Sequence, residues 1–337
     1  MALSLATKYR PQKLEDVVEQ ETIIKILQQQ LKTNNIKNCY LFCGSSGCGK
    51  TTCARILANE INKGVGFPIE FDAASHSSVE NVKSIIQSSN TKSITGEYKV
   101  FIIDEAHSLS SAAWQAFLKT LEEPTAKTIF IFCTTEINKV PQTILNRVQR
   151  FDFYNISYEN IYQRLVYVCN QEKFTYEDEA LKYISKISNG RMRDALASLE
   201  KVASLDQNIT FENAVKVLGD INYKLMFNLT NAIFDRNEDQ ALSIIENINN
   251  KGKNLKLFIN EFTSFILDIN KYIISKDFNV ISIPKIFEQD IMYTTNIDNP
   301  KQFYTYILKE LIKLKDQVKY DTDVKSALEI TLLFLCK

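Results

Sequence analysis

The stretch Gly44-Ser45-Ser46-Gly47-Cys48-Gly49-Lys50-Thr51 fits the phosphate-loop pattern G-x-x-x-x-G-K-[ST] at every fixed position. It follows the apolar run Cys39-Tyr40-Leu41-Phe42-Cys43 and opens a helical pattern that starts at Thr52. A strand, a glycine-rich turn and a helix start are what polyphosphate binding requires. The glycines let backbone N–H groups and the new helix N-terminus face the anion. Lys50 then reaches the β- and γ-phosphates, and the Thr51 hydroxyl is a ligand for Mg²⁺. The expected nucleotide-binding positions are Gly44, Ser45, Ser46, Gly47, Cys48, Gly49, Lys50, Thr51 and Thr52.

Working outward, apolar runs at 39–43, 68–72, 99–103 and 128–133 predict short buried strands. Helical patterns at 21–32, 50–61, 78–88 and 110–121 alternate with them, which predicts a parallel sheet with helices on both faces. Beyond about residue 155 strand signals vanish. Thr175 and Asp178 predict a helix cap ahead of Leu181, Ile184 and Ile187, and Asn189-Gly190 ends that helix before another begins at Arg191. After Gly219 the pattern predicts four or five longer amphipathic helices. One runs over 255–274 with Phe258, Phe262, Phe265 and Ile266 on one face, and another over 303–318 follows Pro300. The expected fold is α/β plus all-α. An α/β nucleotide-binding domain spans 1–154, a small helical domain 155–206, and a larger helical domain 207–337.

The bulk numbers narrow the function classes. The chain has 337 residues, 45% hydrophobic and 24% charged, which is a globular composition. Forty basic residues balance 40 acidic ones, so nucleic-acid contact would need a local basic patch or helix N-termini. Two such starts are Ser75-His76-Ser77-Ser78 with Lys83, and Ser108 to Ser111, where ordinary N-capping is the competing reading. No run of 18 apolar residues exists and no signal peptide is evident, so a cytoplasmic location without a membrane is expected. Of seven cysteines, Cys39, Cys43, Cys48 and Cys53 crowd together. Cys39 and Cys43 on one strand stand about 13 Å apart, too far to share a zinc ion. They read as small buried residues, and no zinc is expected.

The run Val100-Phe101-Ile102-Ile103 ends in Asp104-Glu105-Ala106-His107. A strand delivering two acids to the phosphate end of a sheet supplies a metal carboxylate and a base for water, here Asp104 and Glu105. Mg²⁺ is thus expected on Thr51 and Asp104. His107 reads as a helix-start or packing residue without a catalytic role. Thr134-Thr135 follow another apolar strand, and Leu145-Asn146-Arg147-Val148 places an arginine near the end of the α/β domain. Spacing alone does not bring Arg147 to a nucleotide.

Five segments occur in a family's order: Lys8-Tyr9-Arg10-Pro11 through Val17-Val18, the phosphate loop, Ile103 to His107, Leu118-Lys119-Thr120-Leu121-Glu122-Glu123-Pro124, and Gly190-Arg191-Met192-Arg193-Asp194-Ala195-Leu196. The chain resembles the AAA+ clamp-loader ATPases, and most closely the gamma/tau subunits of bacterial DNA polymerase III. Leu118 to Pro124 is the discriminating segment, because generic AAA+ ATPases lack it. Motifs cover 3–199 densely, and the helical remainder fits the collar domain by length and pattern.

The resemblance implies a helical lid after the AAA+ domain and roles for specific positions. Thr135 would sense the γ-phosphate, Arg147 would act as an arginine finger in the site of the adjacent subunit, and Arg193 would touch nucleotide from the lid. Tyr9, Arg10, Pro11, Val17 and Val18 would frame the adenine. The implied activity is ATP hydrolysis that opens a sliding clamp and loads it onto primer-template DNA during replication. The implied partners are other loader subunits in a pentameric ring, the clamp and DNA. Two other readings are a non-hydrolysing scaffold subunit of such a ring and a branch-migration motor. Intact Lys50, Thr51, Asp104 and Glu105 disfavour the first, and Leu118 to Pro124 with the all-helical C-terminus disfavours the second.

The chain also departs from that family. The four-cysteine zinc module usual between Ile61 and Glu70 is missing. The finger triplet reads Asn146-Arg147-Val148 rather than Ser-Arg-Cys, and Glu19 stands where glycine is usual. Ending at Lys337 implies no tau-type extension, and the Asn/Lys/Ile-rich chain suggests a phage or a reduced bacterial genome.

Overall fold

A computed structural model describes residues 3–75, 79–93, 96–123, 127–218, 223–250, 252, 254–319 and 323–337. The chain divides into two compact units, Met1–Val217 and Leu218–Lys337.

The first unit is built on a five-stranded sheet: β1 (Cys39–Cys43), β2 (Ile69–Asp72), β3 (Lys99–Asp104), β4 (Thr128–Thr134) and β5 (Gln149–Asp152). The order is β2-β3-β4-β1-β5, and every pairing is parallel. Four strands lie within a residue of expectation. β5 was not expected, because Gln149-Arg150-Phe151-Asp152 carries one apolar residue and only Phe151 is buried.

Central strands of a parallel sheet are covered on both faces, so they read as unbroken apolar runs. All residues of β1 and of β4 are buried. Alternation sends Tyr40, Phe42, Ile102 and Ile131 into a core with the helices Glu21–Lys32 and Lys50–Ile61. Leu41, Phe101, Ile103, Phe130 and Phe132 enter a second core with the helices Val79–Ser89 and Ser111–Glu122. There Phe132 lies 5.1 Å from the Trp114 ring and 5.3 Å from Phe117. Each such aromatic contributes about 1.5–3 kcal/mol by burial.

Five of the seven cysteines divide between these cores. Cys39 and Cys43 point into one, while Cys48, Cys53 and Cys133 sit in the other. Burial pushes the Cys53 thiol up to about 12 and the Cys43 thiol up to about 11. These are packing residues with little thiolate character.

Three helices, Tyr158–Glu172, Asp178–Ile187 and Met192–Ala203, complete the first unit with Phe211–Leu218 at its boundary. Strand structure does not vanish beyond 155. Thr175–Tyr176 and Asn208–Ile209 form a short parallel pair. Thr175 is therefore a strand residue rather than a cap, and its hydroxyl donates to Asn208 Oδ1 at 2.9 Å. Glu177 occupies the cap position of the next helix without a side-chain capping bond, its Oε2 accepting instead from the Phe211 N–H at 2.7 Å.

In the second unit the described residues form the helices Tyr223–Phe234, Glu238–Asn250, Leu255–Ser275, Glu288–Thr295, Pro300–Val318 and Val324–Leu335. Five of these run 12 residues or more, the upper end of the expectation, and Glu288–Thr295 is a short sixth of 8 residues. Phe258, Phe262, Phe265 and Ile266 are all buried, as their spacing predicts. The buried Tyr304 hydroxyl donates to the Thr294 carbonyl at 2.9 Å. No helix of the described residues is long and apolar enough to cross a membrane.

Candidate functional site

Sheet order decides which side chains meet. β4 lies between β1 and β3, and Cys43 pairs with Thr134 while Ile103 pairs with Phe132. The loop after β1, the acid ending β3 and the hydroxyls ending β4 therefore converge at the carboxyl edge, where ligands of open α/β sheets bind.

The loop is shaped by its neighbours. Gly44 has φ +151°, and a Cβ there would lie 2.5 Å from the Phe153 carbonyl oxygen. Gly47 has φ +74° and faces Arg191, which a Cβ would approach to 3.0 Å. The Ser45 hydroxyl donates to Asn155 Oδ1. Lys50 is buried, and its Nζ donates to the carbonyls of Gly44 at 2.9 Å and Ser45 at 2.7 Å. Thr51 Oγ1 donates to Asp104 Oδ2 at 2.8 Å, so both expected metal ligands stand together. A hydroxyl and a carboxylate are hard oxygen donors of the kind Mg²⁺ takes.

A cavity of about 340 Å³ opens over this loop. Its lining includes Ser46 to Thr52, Asp104 and Glu105, together with Tyr9, Arg10, Pro11, Val17, Val18 and Arg193. Gly44 and Ser45 lie just outside the lining and hold Lys50 through their carbonyls. Arg10, Lys50, Arg55, Arg164 and Arg193 face two acids, Asp104 and Glu105, an excess of three positive charges (5 − 2) in a chain of zero net charge. Val17, Val18, Ile156 and Leu196 supply an apolar wall. A basic floor with an apolar wall suits a polyphosphate carrying a base.

Several lining residues were missed in the sequence. Arg164 donates from Nη2 to the Tyr9 carbonyl at 2.9 Å and lies 5.1 Å from the Tyr167 ring centroid, fixing the N-terminal segment. The Tyr9 hydroxyl donates to Glu172 at 2.6 Å, and burial with that carboxylate pushes its pKa to about 12. Arg55 pairs with Glu70 at 2.6 Å. Helical position alone did not mark Arg55 or Arg164, because an arginine on a helix usually faces solvent.

Two expected residues lie elsewhere. Thr135 faces His107, with Oγ1 3.5 Å from Nδ1, outside the cavity lining. Arg147 donates to the Thr143 carbonyl at 2.6 Å and pairs with Glu122, also outside it. Of the two helix starts, Ser110 Oγ accepts from Ala113 N–H, which is ordinary capping. His76, Ser77 and Ser78 lie outside the described residues, as do Pro124 and Gly219.

The family model for the DNA polymerase III, delta subunit, matches residues 68–157. That for the DNA polymerase III clamp loader subunit, ATPase lid domain, matches residues 160–213. The DNA polymerase III subunit gamma of Buchnera aphidicola subsp. Schizaphis graminum is 31% identical over 98% of this chain and 96% of its own length. Subunit tau of Bacillus subtilis is 31% identical over 98% of this chain. Subunit gamma/tau of Mycoplasma genitalium is 30% identical over 90% of it. The chain spans 62% and 54% of the length of these last two. Among solved structures, the Thermotoga maritima RuvB Holliday junction branch migration motor aligns over 67% of this chain and 79% of its own. Its TM-score is 0.53 at 18% identity, a likeness of fold alone. The chain belongs to the gamma/tau family of DNA polymerase III clamp-loader subunits, AAA+ proteins with a phosphate loop.

Proposed function

We propose that the chain is an ATP-hydrolysing subunit of a clamp loader, which uses ATP to open a sliding clamp and load it onto primer-template DNA. The observation that carries this reading is the Thr51–Asp104 hydrogen bond beneath a net-basic cavity. Lys50 exchanges its bonds to the loop carbonyls for the β- and γ-phosphates, and Glu105 orients the attacking water. Thr51 and Asp104 would hold a Mg²⁺ ion, whose charge would offset the negative charge that develops on the phosphates. Tyr9, Arg10, Pro11, Val17 and Val18 frame the adenine, and Arg193 reaches the phosphates from the lid.

Arg147 and Thr135 need a different account. Arg147 faces away from the cavity of its own chain, which suits a finger for an adjacent subunit, and Thr135 senses the γ-phosphate through the end of β4. The ATPase domain is taken as 1–154, the lid as 155–206 and the collar as 207–337, with other subunits completing a pentameric ring. The test is the ATPase rate of the purified chain with and without partner subunits, clamp and primed DNA. Stimulation by clamp and primed DNA together is the expected result, and its absence sinks the loader reading.

A further inference from the structure

The sequence reads His107 as a helix-start or packing residue, and in the 3₁₀ turn it occupies both ring nitrogens face polar groups. Nδ1 lies 3.4 Å from Glu105 Oε2, 3.3 Å from Thr134 Oγ1 and 3.5 Å from Thr135 Oγ1. Nε2 lies 3.5 Å from Glu136 Oε1, which also pairs with Lys139 at 3.0 Å. The imidazole thus stands between the acid at the end of β3 and the hydroxyls at the end of β4.

Local backbone geometry puts it there. Glu105 has φ 48° and ψ 41°, a left-handed conformation uncommon for a residue with a side chain. Its N–H donates to Asp104 Oδ1 at 3.0 Å, and its carbonyl accepts from Ser108 N–H at 2.9 Å. The 3₁₀ turn Ala106–Ser108 that follows swings His107 back under Glu105. Strain of this kind persists where surrounding contacts over-determine it, and it clusters at functional positions.

The Glu105 carboxylate is incompletely satisfied. The side chain lines the cavity and is 40% exposed, yet Oε2 is buried and has no aligned hydrogen bond. His107 Nδ1 stands beside that oxygen. A ring nitrogen makes one strong hydrogen bond at a time, either with a threonine hydroxyl or with the carboxylate. Any shift of Thr134 or Thr135 therefore alters what remains for Glu105.

We propose that His107 is a positioning residue for Glu105, holding the carboxylate by Nδ1 and coupling its aim to the Thr134–Thr135 end of β4. This rests on the reading of Glu105 as the base of an ATPase. His107 touches no reacting atom in this scheme and acts only through Glu105.

Two substitutions separate the ring positions. His107→Asn keeps an amide near the place of Nδ1, and His107→Gln keeps one near the place of Nε2. Basal ATP hydrolysis of the purified chain gives kcat and KM, a non-hydrolysable ATP analogue gives affinity, and thermal melting reports folding. His107→Gln is expected to lower kcat about 10-fold or more, with KM and analogue affinity within about 2-fold of wild type. His107→Asn is expected to stay within about 3-fold of wild type in all three. Wild-type kcat in His107→Gln overturns the proposal. So does equal loss in both variants, a rise in KM in place of a fall in kcat, or a loss of kcat that follows the melting temperature. A wild-type chain that hydrolyses no ATP even with partner subunits, clamp and primed DNA removes the ATPase reading itself, and the positioning role with it.

Discussion

Glu19 caps the helix that begins beyond Ser157. Its Oε2 accepts from the Ser157 N–H, the Ser157 hydroxyl and Asn160 Nδ2, each at 2.8 Å. It does so from a left-handed backbone, φ 72°, which is uncommon for a residue with a side chain. Beside it Gln20 bonds both the carbonyl and the N–H of Tyr154. The segment that carries Val17 and Val18 on the cavity wall is thereby tied to the Tyr158–Glu172 helix. Hydrogen bonds to a charged acceptor that is partly solvated are together worth about 1–2 kcal/mol here. Glu19→Ala should lose them and keep the strain, whereas Glu19→Gly loses them and relieves it. Thermal melting is expected to rank wild type above Glu19→Gly and Glu19→Gly above Glu19→Ala.

The same contact sets a pH dependence. The backbone N–H of Ser157 foremost, with Asn160 and the Ser157 hydroxyl, holds the Glu19 carboxyl below the ordinary glutamate value of 4.5. The unfolded chain then binds the proton first as pH falls, so the contribution is full above 4.5 and disappears below the lower folded value. The melting-temperature gap between wild type and Glu19→Ala should close on acidification through that window. A gap that persists unchanged at pH 3 would show that packing, not charge, carries the effect.

Gly44→Ala offers a test of the loop itself. The new methyl would sit 2.5 Å from a backbone oxygen, that of Phe153, and φ +151° is strained for any residue with a side chain. Neither end gives cheaply, because Phe153 N–H donates to the Cys43 carbonyl at 2.7 Å and anchors the strand end. The expected outcome is a loss of about 1–3 kcal/mol in stability and a nucleotide affinity weakened about 10-fold or more. Equilibrium binding of a fluorescent ATP analogue measures the second quantity, and unaltered affinity would mean that the loop tolerates displacement.

How much of this was legible depended on the physical origin of each signal. The phosphate loop and the acids of β3 were readable because their chemistry demands fixed spacing, and the central strands because burial on both faces leaves them apolar. β5 was not, since its position at the edge of the sheet removes the need for apolar residues on both faces. The Thr175–Tyr176 pair was missed for a related reason, two residues being too few for alternation to register. Glu19 could be flagged as a departure from glycine, but its use lay 138 residues away at Ser157. Arg55 and Arg164 gave no signal, because the direction of a helical side chain depends on tertiary packing. His107 was legible as a helix-start residue, but its neighbours Thr134 and Glu136 were not, because only the strand order brings them near.

Glu105→Gln separates binding from chemistry. Asp104 accepts from Thr51 and from the Glu105 N–H, and neither bond uses the Glu105 side chain. Removing its charge should therefore leave the loop and nucleotide affinity intact while hydrolysis falls about 10²–10⁴-fold. Phosphate release under saturating ATP gives the rate, and analogue binding gives the affinity. A parallel loss of affinity would place Glu105 in binding rather than in activation of water.

Arg147 should behave in the opposite way. Its guanidinium pairs with Glu122 and donates to the Thr143 carbonyl, outside the lining of its own cavity. Arg147→Ala is thus expected to leave nucleotide affinity of the isolated chain unchanged. With partner subunits in the proposed ring, the rate should fall about 10³–10⁵-fold if the finger acts in trans. Glu122→Gln is the companion variant, because it frees the guanidinium without removing it and should raise or preserve the assembled rate. Lys50→Ala disables the site that a finger serves, so mixed rings of Lys50→Ala and Arg147→Ala chains decide the geometry. Activity in the mixture arises only where an intact Lys50 faces an intact Arg147 across an interface. Rates in mixtures that merely average the two inactive parents would exclude a trans role for Arg147.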